Sequence, residues 1–500
     1  MKENTLPNDW TQITIKSALD FVLGGDWGKD PLKFEDENYT EVLCIRGSEI
    51  KHWQENKGNT AVRRLIKNAS LEKRKLQIGD ILIEISGGGP DQPVGRTVYV
   101  DEQALAYKPD VVKVCTNFLR LLRFNKSLNS KFINKFFDYF YLSGKITEYQ
   151  GGSNNLRNLK FKEFETIQIP IPPRPEQDRI VAKVDTLMGQ VSVMQESLQR
   201  IPQLLKDFRQ QVLTQAVTGK LTEEWREGKE LESGDSFLKR IVAERISEGE
   251  KVKDFKPIPK EQFPFDVDDS WTFGHLQYFG EFTRGKSKHR PRNDERLFGN
   301  KYPFIQTGEV SRSNGLITEY SKSLSEFGLK QSRLFPKGTL CITIAANIAE
   351  TGILDFDSCF PDSVVGYLPF KNYYDPKFAM FYIRTIQQDL EHYAPATAQK
   401  NINLGILFKV AFPVPPFKEQ QEVVRRVESL FSKAAAIQQQ YEALKQKIDT
   451  LPQAILHKAF KGELVEQLES DGSAEELLRE IEGLKLEVSG KKKLIKKKVK

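Results

Sequence analysis

Residues 169–181 read IPIPPRPEQDRIV, and residues 412–424 read FPVPPFKEQQEVV. The second string is the first moved on by 243 positions, and the match continues without a gap from 168–221 onto 411–464. Pro170, Pro172, Pro173, Glu176, Gln177, Val184, Leu187, Leu213, Ala216, Gly219 and Leu221 each meet an identical residue at that shift. A long-period repeat governs the reading of everything around it, because each copy must fold in the same way.

Both copies predict a long helix. Apolar residues of the first fall at Ile180, Val184, Leu187, Val191, Met194, Leu198, Ile201, Leu205, Phe208 and Val212. The second repeats them at Val423, Val427, Leu430, Ala434, Ile437, Tyr441, Leu444, Ile448, Leu451 and Ile455. Steps alternating between four and three residues are the heptad pattern of a coiled coil. The prolines before each helix favour an extended lead-in, Gly219 and Gly462 suit C-terminal stops, and Pro202 and Pro452 are expected to kink or break the helices. From 176 to 217, at about 1.5 Å per residue, the rod is roughly 60 Å long. The shared register points to the two helices pairing with each other.

The intervening segments correspond loosely. Asp9-Trp10 and Ser270-Trp271 open them, followed by CIRGSEI (44–50) against FIQTGEV (304–310) and LQIGDILIEIS (76–86) against LFPKGTLCITIA (334–345). Asp80–Ile85 and Thr339–Ile344 predict strands after a glycine turn. Lys131–Leu142 and Pro376–Leu390 predict amphipathic helices. Glu232–Glu248 is weakly echoed by Glu469–Leu484. The expected organisation is a head at 1–166, a helix at 167–221, a short helix and linker at 222–262, a second head at 263–408, a second helix at 409–464, and a helical segment with a basic tail at 465–500. The fold class is therefore α+β: two mixed α/β heads separated by an antiparallel two-helix coiled coil. Frames that match better than the heads they carry suit two binding heads of different specificity on one spacer.

The chain has 500 residues, 39% hydrophobic and 29% charged, as expected of folded domains and not of wholesale disorder. Its formal charge of +7 permits nucleic-acid binding without demanding it, and seven of the last ten residues, KKKLIKKKVK, are lysine in a solvated tail. No apolar run approaches a membrane span, and MKENTLPNDW shows no secretory pattern. Cys44, Cys115, Cys341 and Cys359 lie far apart with no Cys-x-x-Cys pair, which argues for a reducing cytoplasm and against a disulfide framework or zinc ribbon.

These residues resemble the specificity subunit of type I restriction–modification systems. The resemblance rests on the two Pro-Pro-x-x-Glu-Gln lead-ins, the closing phrases LTQAVTGKL (213–221) and LHKAFKGEL (456–464), the phrases GDILIEISGG and GTLCITIAAN, and the tryptophan opening each head. It touches nearly the whole chain. It implies that each head reads one half of a bipartite site on double-stranded DNA, while the helix pair fixes the unread gap. Two modification subunits, binding S-adenosylmethionine and methylating adenine N6, would dock on the helices. Two motor-nuclease subunits using ATP and Mg²⁺ would complete the assembly, and this chain would bind no cofactor itself. A rod of roughly 60 Å spans about 18 base pairs.

Catalytic motifs are weak. Gly280-Glu-Phe-Thr-Arg-Gly285-Lys286-Ser287 satisfies the P-loop string, but its lead-in His275–Phe279 is mixed and KHRPRNDERLF lacks helical periodicity. The first head has Gly24-Gly25-Asp26-Trp27 in that place, so the glycine turn is the shared feature. No Asn/Asp-Pro-Pro-aromatic signature for amino methylation is present. Pro361-Asp362 with Asp375-Pro376-Lys377 makes a poor nuclease set, because Pro376 stiffens the triplet. His52, His275, His289, His392 and His457 have no metal-ligand spacing. The chain is thus expected to be non-catalytic; the rival readings are a coiled-coil protein adaptor and a stand-alone restriction enzyme or methyltransferase.

Arg, Lys, Asn and Gln supply contacts to base edges and phosphates, and glycine allows close backbone approach. On that chemistry the DNA-binding candidates of the first head are Arg46, Lys51, Trp53, Arg63, Arg64, Gly88 and Arg96. Those of the second are Arg284, Lys286, Lys288, Arg290, Arg292, Gln306, Arg312, Asn314, Asn347, Gln399, Lys400 and Asn401.

Overall fold

The computed structural model describes residues 6–89, 91–152, 156–249, 252, 255–345, 347–371, 373–392 and 402–485. The described residues form two compact units, one drawn from Met1–Gln199 with Ala443–Lys500 and the other from Arg200–Glu442. The fold is α+β, with two repeated domains and long helices.

In the first unit, a four-stranded antiparallel sheet runs in the order Leu19–Gly24, Leu119–Phe124, Ile81–Glu84, Thr97–Tyr99. Beside it, Tyr39–Ile45 pairs antiparallel with Val62–Lys67 and parallel with Lys113–Cys115. The second unit repeats this plan. Gly280–Arg284, Val364–Pro369, Leu340–Thr343 and Thr351–Leu354 follow the same order, with Leu316–Ile317 added at the edge. Phe298–Phe304 pairs antiparallel with Lys322–Leu324 and parallel with Ser358–Cys359. The central strands ILIE and LCIT are buried on both faces, which explains the three apolar residues in a row that open each.

A third pairing ties each head to a long helix. Thr11–Thr14 pairs with Gln168–Ile171, and Thr272–His275 pairs with Ala411–Val414. The heads therefore extend to Ile171 and Val414, past the expected edges at 166 and 408. The Pro-Pro turn follows each strand, and the Glu-Gln pair then does the joining. Gln177 donates to Pro172 O at 2.9 Å and accepts from the Asn129 backbone at 2.9 Å; Asn129 caps the helix Ser130–Leu142. Gln420 donates to Pro415 O at 3.1 Å and accepts at 3.0 Å from the backbone of Asp375, the cap of Pro376–Thr385. Glu176 and Glu419 each accept the indole N–H of the head's opening tryptophan. The motif is a clamp between head and helix.

The first long helix is Arg174–Gln199, continued after Arg200 by Ile201–Thr218. Pro202 sits in the first turn of the second piece, where its missing N–H costs no bond. Pro452 does not break the helix Phe417–Phe460, which runs through it; one lost bond, worth about 3 kcal/mol, is outweighed by the rest of a long packed helix. Gly219 and Gly462 take left-handed φ of 83° and 74° at the helix ends.

The segment 222–262 is the one read from the sequence as a short helix and linker. Its helix Gly234–Ser247 buries Phe237, Leu238, Ile241 and Val242 in the core of the second unit, and Gly234 donates to Ser270 O at 2.7 Å. In the first unit, Ala474 opens the helical stretch 474–485 and donates to Asp9 O at 3.1 Å, with Ala474 and Ile481 in the core. The weak echo between these segments thus reflects one structural role.

Candidate nucleic-acid interface

In the first head, the ends of the strands Tyr39–Ile45 and Ile81–Glu84 carry a network of two arginines and two buried carboxylates. Arg46 reaches Glu49 Oε1 through Nε at 3.1 Å and Nη2 at 2.6 Å, and its backbone N–H meets Oε2 at 2.6 Å. Arg96 holds Glu84 through Nε at 3.0 Å and Nη2 at 2.7 Å and also donates to Gly47 O at 3.4 Å. A carboxylate as buried as Glu84 or Glu49 requires such a partner. Gly88 lies on the neighbouring short strand Ser86–Gly88, where a Cβ would come within 2.8 Å of Val94 N. Arg46, Arg96 and Gly88 are therefore brought to one region.

In the second head, the corresponding strand end carries Gln306, whose backbone donates to Glu309 Oε2 at 3.0 Å. Gln306 lines a cavity of about 160 Å³ with Lys286, Arg292, His289, Lys322 and Gln331. The basic loop beside it is held mainly by its own neighbours. Arg284 donates to Asp362 O at 2.5 Å, Arg292 pairs with Asp362 at 3.2 Å, and Arg290 donates to the carbonyls of Ser287 and His289, both at 2.9 Å. The Lys288 backbone donates to Gln331 O at 3.2 Å. His289 and Arg296 meet Asp294, each at 2.7 Å, and hold its carboxyl well below the ordinary range. Arg312 and Asn314 line a separate cavity of 400 Å³ with Tyr320 and Ser321. The Asn347 amide donates to Ser311 at 3.2 Å.

Other candidates lie elsewhere. Trp53 is a core residue, 3% exposed, donating to Tyr99 O at 3.0 Å, so its expected place on a reading surface is corrected. Its neighbour Lys51 lines a 200 Å³ cavity with Lys131, Asn134, Lys135, Asp138 and Asp185. Burial pushes the Asp138 carboxyl up to about 6, with Asp185 adding to the shift and Lys135 opposing it. Arg63 pairs with Glu41 at 2.8 Å, and Arg64 stacks over Trp27 at 4.3 Å. Gln399, Lys400 and Asn401 lie outside the described residues. His289 belongs to the basic loop 284–292 already expected to meet phosphates, whereas Lys322 and Gln331, also gathered around Gln306, were missed: they come from separate segments, and no local spacing joins them.

Along the helices, burial follows every seventh residue. Val184, Val191, Leu198, Leu205 and Val212 are buried, as are Val427, Ala434 and Ile448, with Tyr441 and Ile455 partly so. Ile180 and Val423 are also buried, while Leu187 and Leu430 are intermediate. The alternate line opens outward: Met194 and Leu444 in the first unit, and Phe208 and Ile437 in the second, are exposed. Within the first unit Gln195 bonds Asp449 at 3.2 Å and Arg179 bonds Asp471 at 2.9 Å, so the two stretches run in opposite directions. Within the second, Arg209 bonds Gln438 at 2.9 Å and Arg426 donates to Leu221 O at 2.8 Å, in the same sense.

The first five residues of the P-loop string form a strand. Gly280–Arg284 pairs with Val364–Pro369, and Gly285 crosses so close to the next segment that a Cβ would lie 2.3 Å from Pro361 O. Gly25 is its counterpart, 2.1 Å by the same measure from Thr116 O. Asp375 is a helix cap, accepting from Lys377 N at 2.8 Å. Among the described residues no His, Cys, Asp and Glu cluster could hold a metal ion. All four cysteines are buried free thiols, and burial pushes Cys44 and Cys115 up to about 12. No described helix is long and apolar enough to cross a membrane.

Residues 7–203 and 269–446 match the family model described as the type I restriction modification DNA specificity domain. The chain is 28% identical over 509 residues to the type I restriction enzyme EcoKI specificity subunit of Escherichia coli (strain K12), covering 98% of this chain and 99% of that one. It is 27% identical to the StySPI specificity subunit of Salmonella potsdam, over the full length of both. The HsdS subunit of Thermoanaerobacter tengcongensis has a similar fold, with a TM-score of 0.56 at 18% identity over 92% of this chain and 99% of that one. So does a chain from a structural study of complex assembly in the type I R-M system, at 0.60 and 17% over the same shares.

Proposed function

The chain belongs to the type I restriction modification DNA specificity family, and from that premise we propose that it is the DNA-sequence specificity subunit of such a complex. Each head reads one half of a bipartite site on double-stranded DNA. The long helices pair as an antiparallel coiled coil that sets the unread gap. Two adenine-methylating modification subunits, which bind S-adenosylmethionine, dock on those helices, and two motor-nuclease subunits using ATP and Mg²⁺ join them. The chemistry belongs to those partners, and this chain supplies the address, in the compartment that holds the DNA.

The observation that carries this reading is one frame bearing two different sets of polar groups. Both heads have the same sheet order and the same tryptophan–glutamate clamp. At matching strand ends one presents a charged Arg–Glu network and the other a glutamine beside two lysines and one arginine. Phosphate contacts position a protein on DNA, and base-edge contacts specify. A repeated frame with changed contacts suits two different half-sites.

Long-read methylome sequencing of a host with and without this gene tests the proposal. The expected result is one two-part adenine-methylated motif that disappears with the gene. An unchanged methylome, with the modification partner still expressed, would sink it.

A further inference from the structure

We infer that Arg46 and Gln306 occupy the same base-reading position in the two heads, and that the half-sites differ there as guanine differs from adenine. The inference rests on the proposed reading of a two-part DNA site.

The equivalence is structural. Buried Ile45 and Ile305 precede the two residues, and each lies at the end of a strand that has a parallel neighbour. Arg46 and Gln306 are both extended, with φ of −106° and −122°, and each starts a short helix. Both backbone N–H groups are capped by the glutamate three residues on. Because that cap uses the backbone, helix capping does not dictate which side chain stands there.

The side chains present different edges. Glu49 engages the Nε and Nη2 edge of Arg46, and Arg46 keeps 39% of its side chain exposed while Glu49 keeps 2%. Glu49 takes the Nε–Nη2 side, so the guanidinium plane is held by a buried carboxylate while its Nη1–Nη2 edge can still donate. Two parallel N–H donors on a rigid plane match O6 and N7 of guanine in the major groove. Arg96 differs: only 19% of its side chain is exposed, and it is held by Glu84 and Gly47 O. It is a positioning residue. In the second head Glu309 instead accepts from Ser321 at 2.5 Å, and the residue at the reading position is neutral. Gln306 offers one donor and one acceptor, matching N7 and the N6 amine of adenine. Lys286, Arg292 and Lys322 around the same cavity supply positive charge for the flanking phosphates.

The test uses the native complex, recovered from its host through a tag on this chain, and binding-site selection from a randomised duplex library. Wild type, Arg46→Gln, Arg46→Lys and Gln306→Arg are compared, with melting temperature as a check on folding. Arg46→Gln is expected to relax or change one guanine in one half-site only, and Gln306→Arg to replace one adenine by guanine in the other half only. Placing 7-deazaguanine at the guanine assigned to Arg46 removes the N7 acceptor and is expected to weaken wild-type binding about tenfold. The same substitution is expected to leave Arg46→Gln nearly unaffected. Folded variants that select the wild-type motif, or wild-type binding indifferent to 7-deazaguanine, would overturn the inference alone. A wild-type complex that selects no motif would overturn the underlying reading as well.

Discussion

Trp10 donates its indole N–H to Glu176 Oε2 at 3.0 Å, and both residues are buried. Trp271 and Glu419 repeat the bond at 3.0 Å, but their surroundings differ. Glu419 also accepts from Thr222 at 2.6 Å and pairs with Arg226. At the repeat shift of 243, those two positions hold Val465 and Glu469, and Oε1 of Glu176 has no hydrogen-bond partner among the described residues. Trp10→Phe leaves Glu176 with no hydrogen bond and is expected to cost about 1–3 kcal/mol in urea unfolding. Trp271→Phe is expected to cost less, because Glu419 keeps two partners. Glu419→Gln removes the buried charge that faces Arg226, leaving that guanidinium to Asp268 and Gly219 O, and is expected to destabilise, whereas Glu176→Gln is expected to be neutral or stabilising near neutral pH. Equal effects in the two units would contradict the asymmetry.

Asp138 gives a pH dependence of definite sign. Burial raises its carboxyl from 3.8 to about 6, so the folded state binds its proton more tightly than the unfolded chain does. Its contribution to stability is full below the ordinary value and is lost as pH rises through about 6. Glu422 works in the opposite sense: Arg425 and Arg426 hold it at about 2, so its contribution is present above about 4.5 and lost only below that. Between about pH 4 and 6, Asp138→Asn is therefore expected to remove part of the fall in melting temperature expected of the wild type. Parallel curves for the two proteins across that window would refute this.

Much of this architecture was legible in the chain because backbone geometry writes itself at fixed spacing. The seven-residue steps from Val184 to Val212 appear as buried positions, and the clamp residues stand out because the repeat preserves them. The outward turn of Met194 and Phe208 was not legible, since the heptad says which residues share a stripe and not how much a partner covers. Trp53, amid KHWQENK, looks like a surface residue. It is buried partly because the chain turns at Gly58, at φ 76°, and passes over the indole ring, where a Cβ would lie 3.0 Å away. The cavity around Gln306 joins separate segments of the second head, from Lys286 to Ser363, so no single stretch announces it.

Gly285 and Lys286 separate a structural role from a proposed phosphate-contacting one within a single Gly-Lys-Ser string. Gly285→Ala places a methyl 2.3 Å from Pro361 O and is expected to lower the melting temperature sharply, as is Gly25→Ala against Thr116 O. Lys286→Ala is expected to leave folding intact, weaken binding to all DNA sequences alike, and reduce the slope of log affinity against log salt by about 1. Adding ATP is expected not to shift the melting temperature, because Gly280–Arg284 of the string is committed to a strand paired with Val364–Pro369 and no helix directly follows it. A shift that depends on Lys286 would restore the nucleotide-binding reading.

The exposed line of the heptads makes the last prediction. Met194 and Leu444 in one unit, and Phe208 and Ile437 in the other, are 40%, 46%, 37% and 50% exposed on helices whose alternate line is buried. Apolar groups at such spacing lose little by staying singly in water, yet they become a docking stripe when a partner covers them. Replacing Met194 or Ile437 by lysine removes apolar contact area and puts a charge where a proposed modification subunit would dock. The expected outcome is an unchanged melting temperature for the chain alone, together with loss of co-purification of the modification subunit and of methylation at both half-sites. A lysine at Val191 or Ala434, on the buried line, is expected to do the reverse and unfold the helices first. If Met194→Lys and Ile437→Lys leave assembly and methylation intact, the partner does not dock on this stripe.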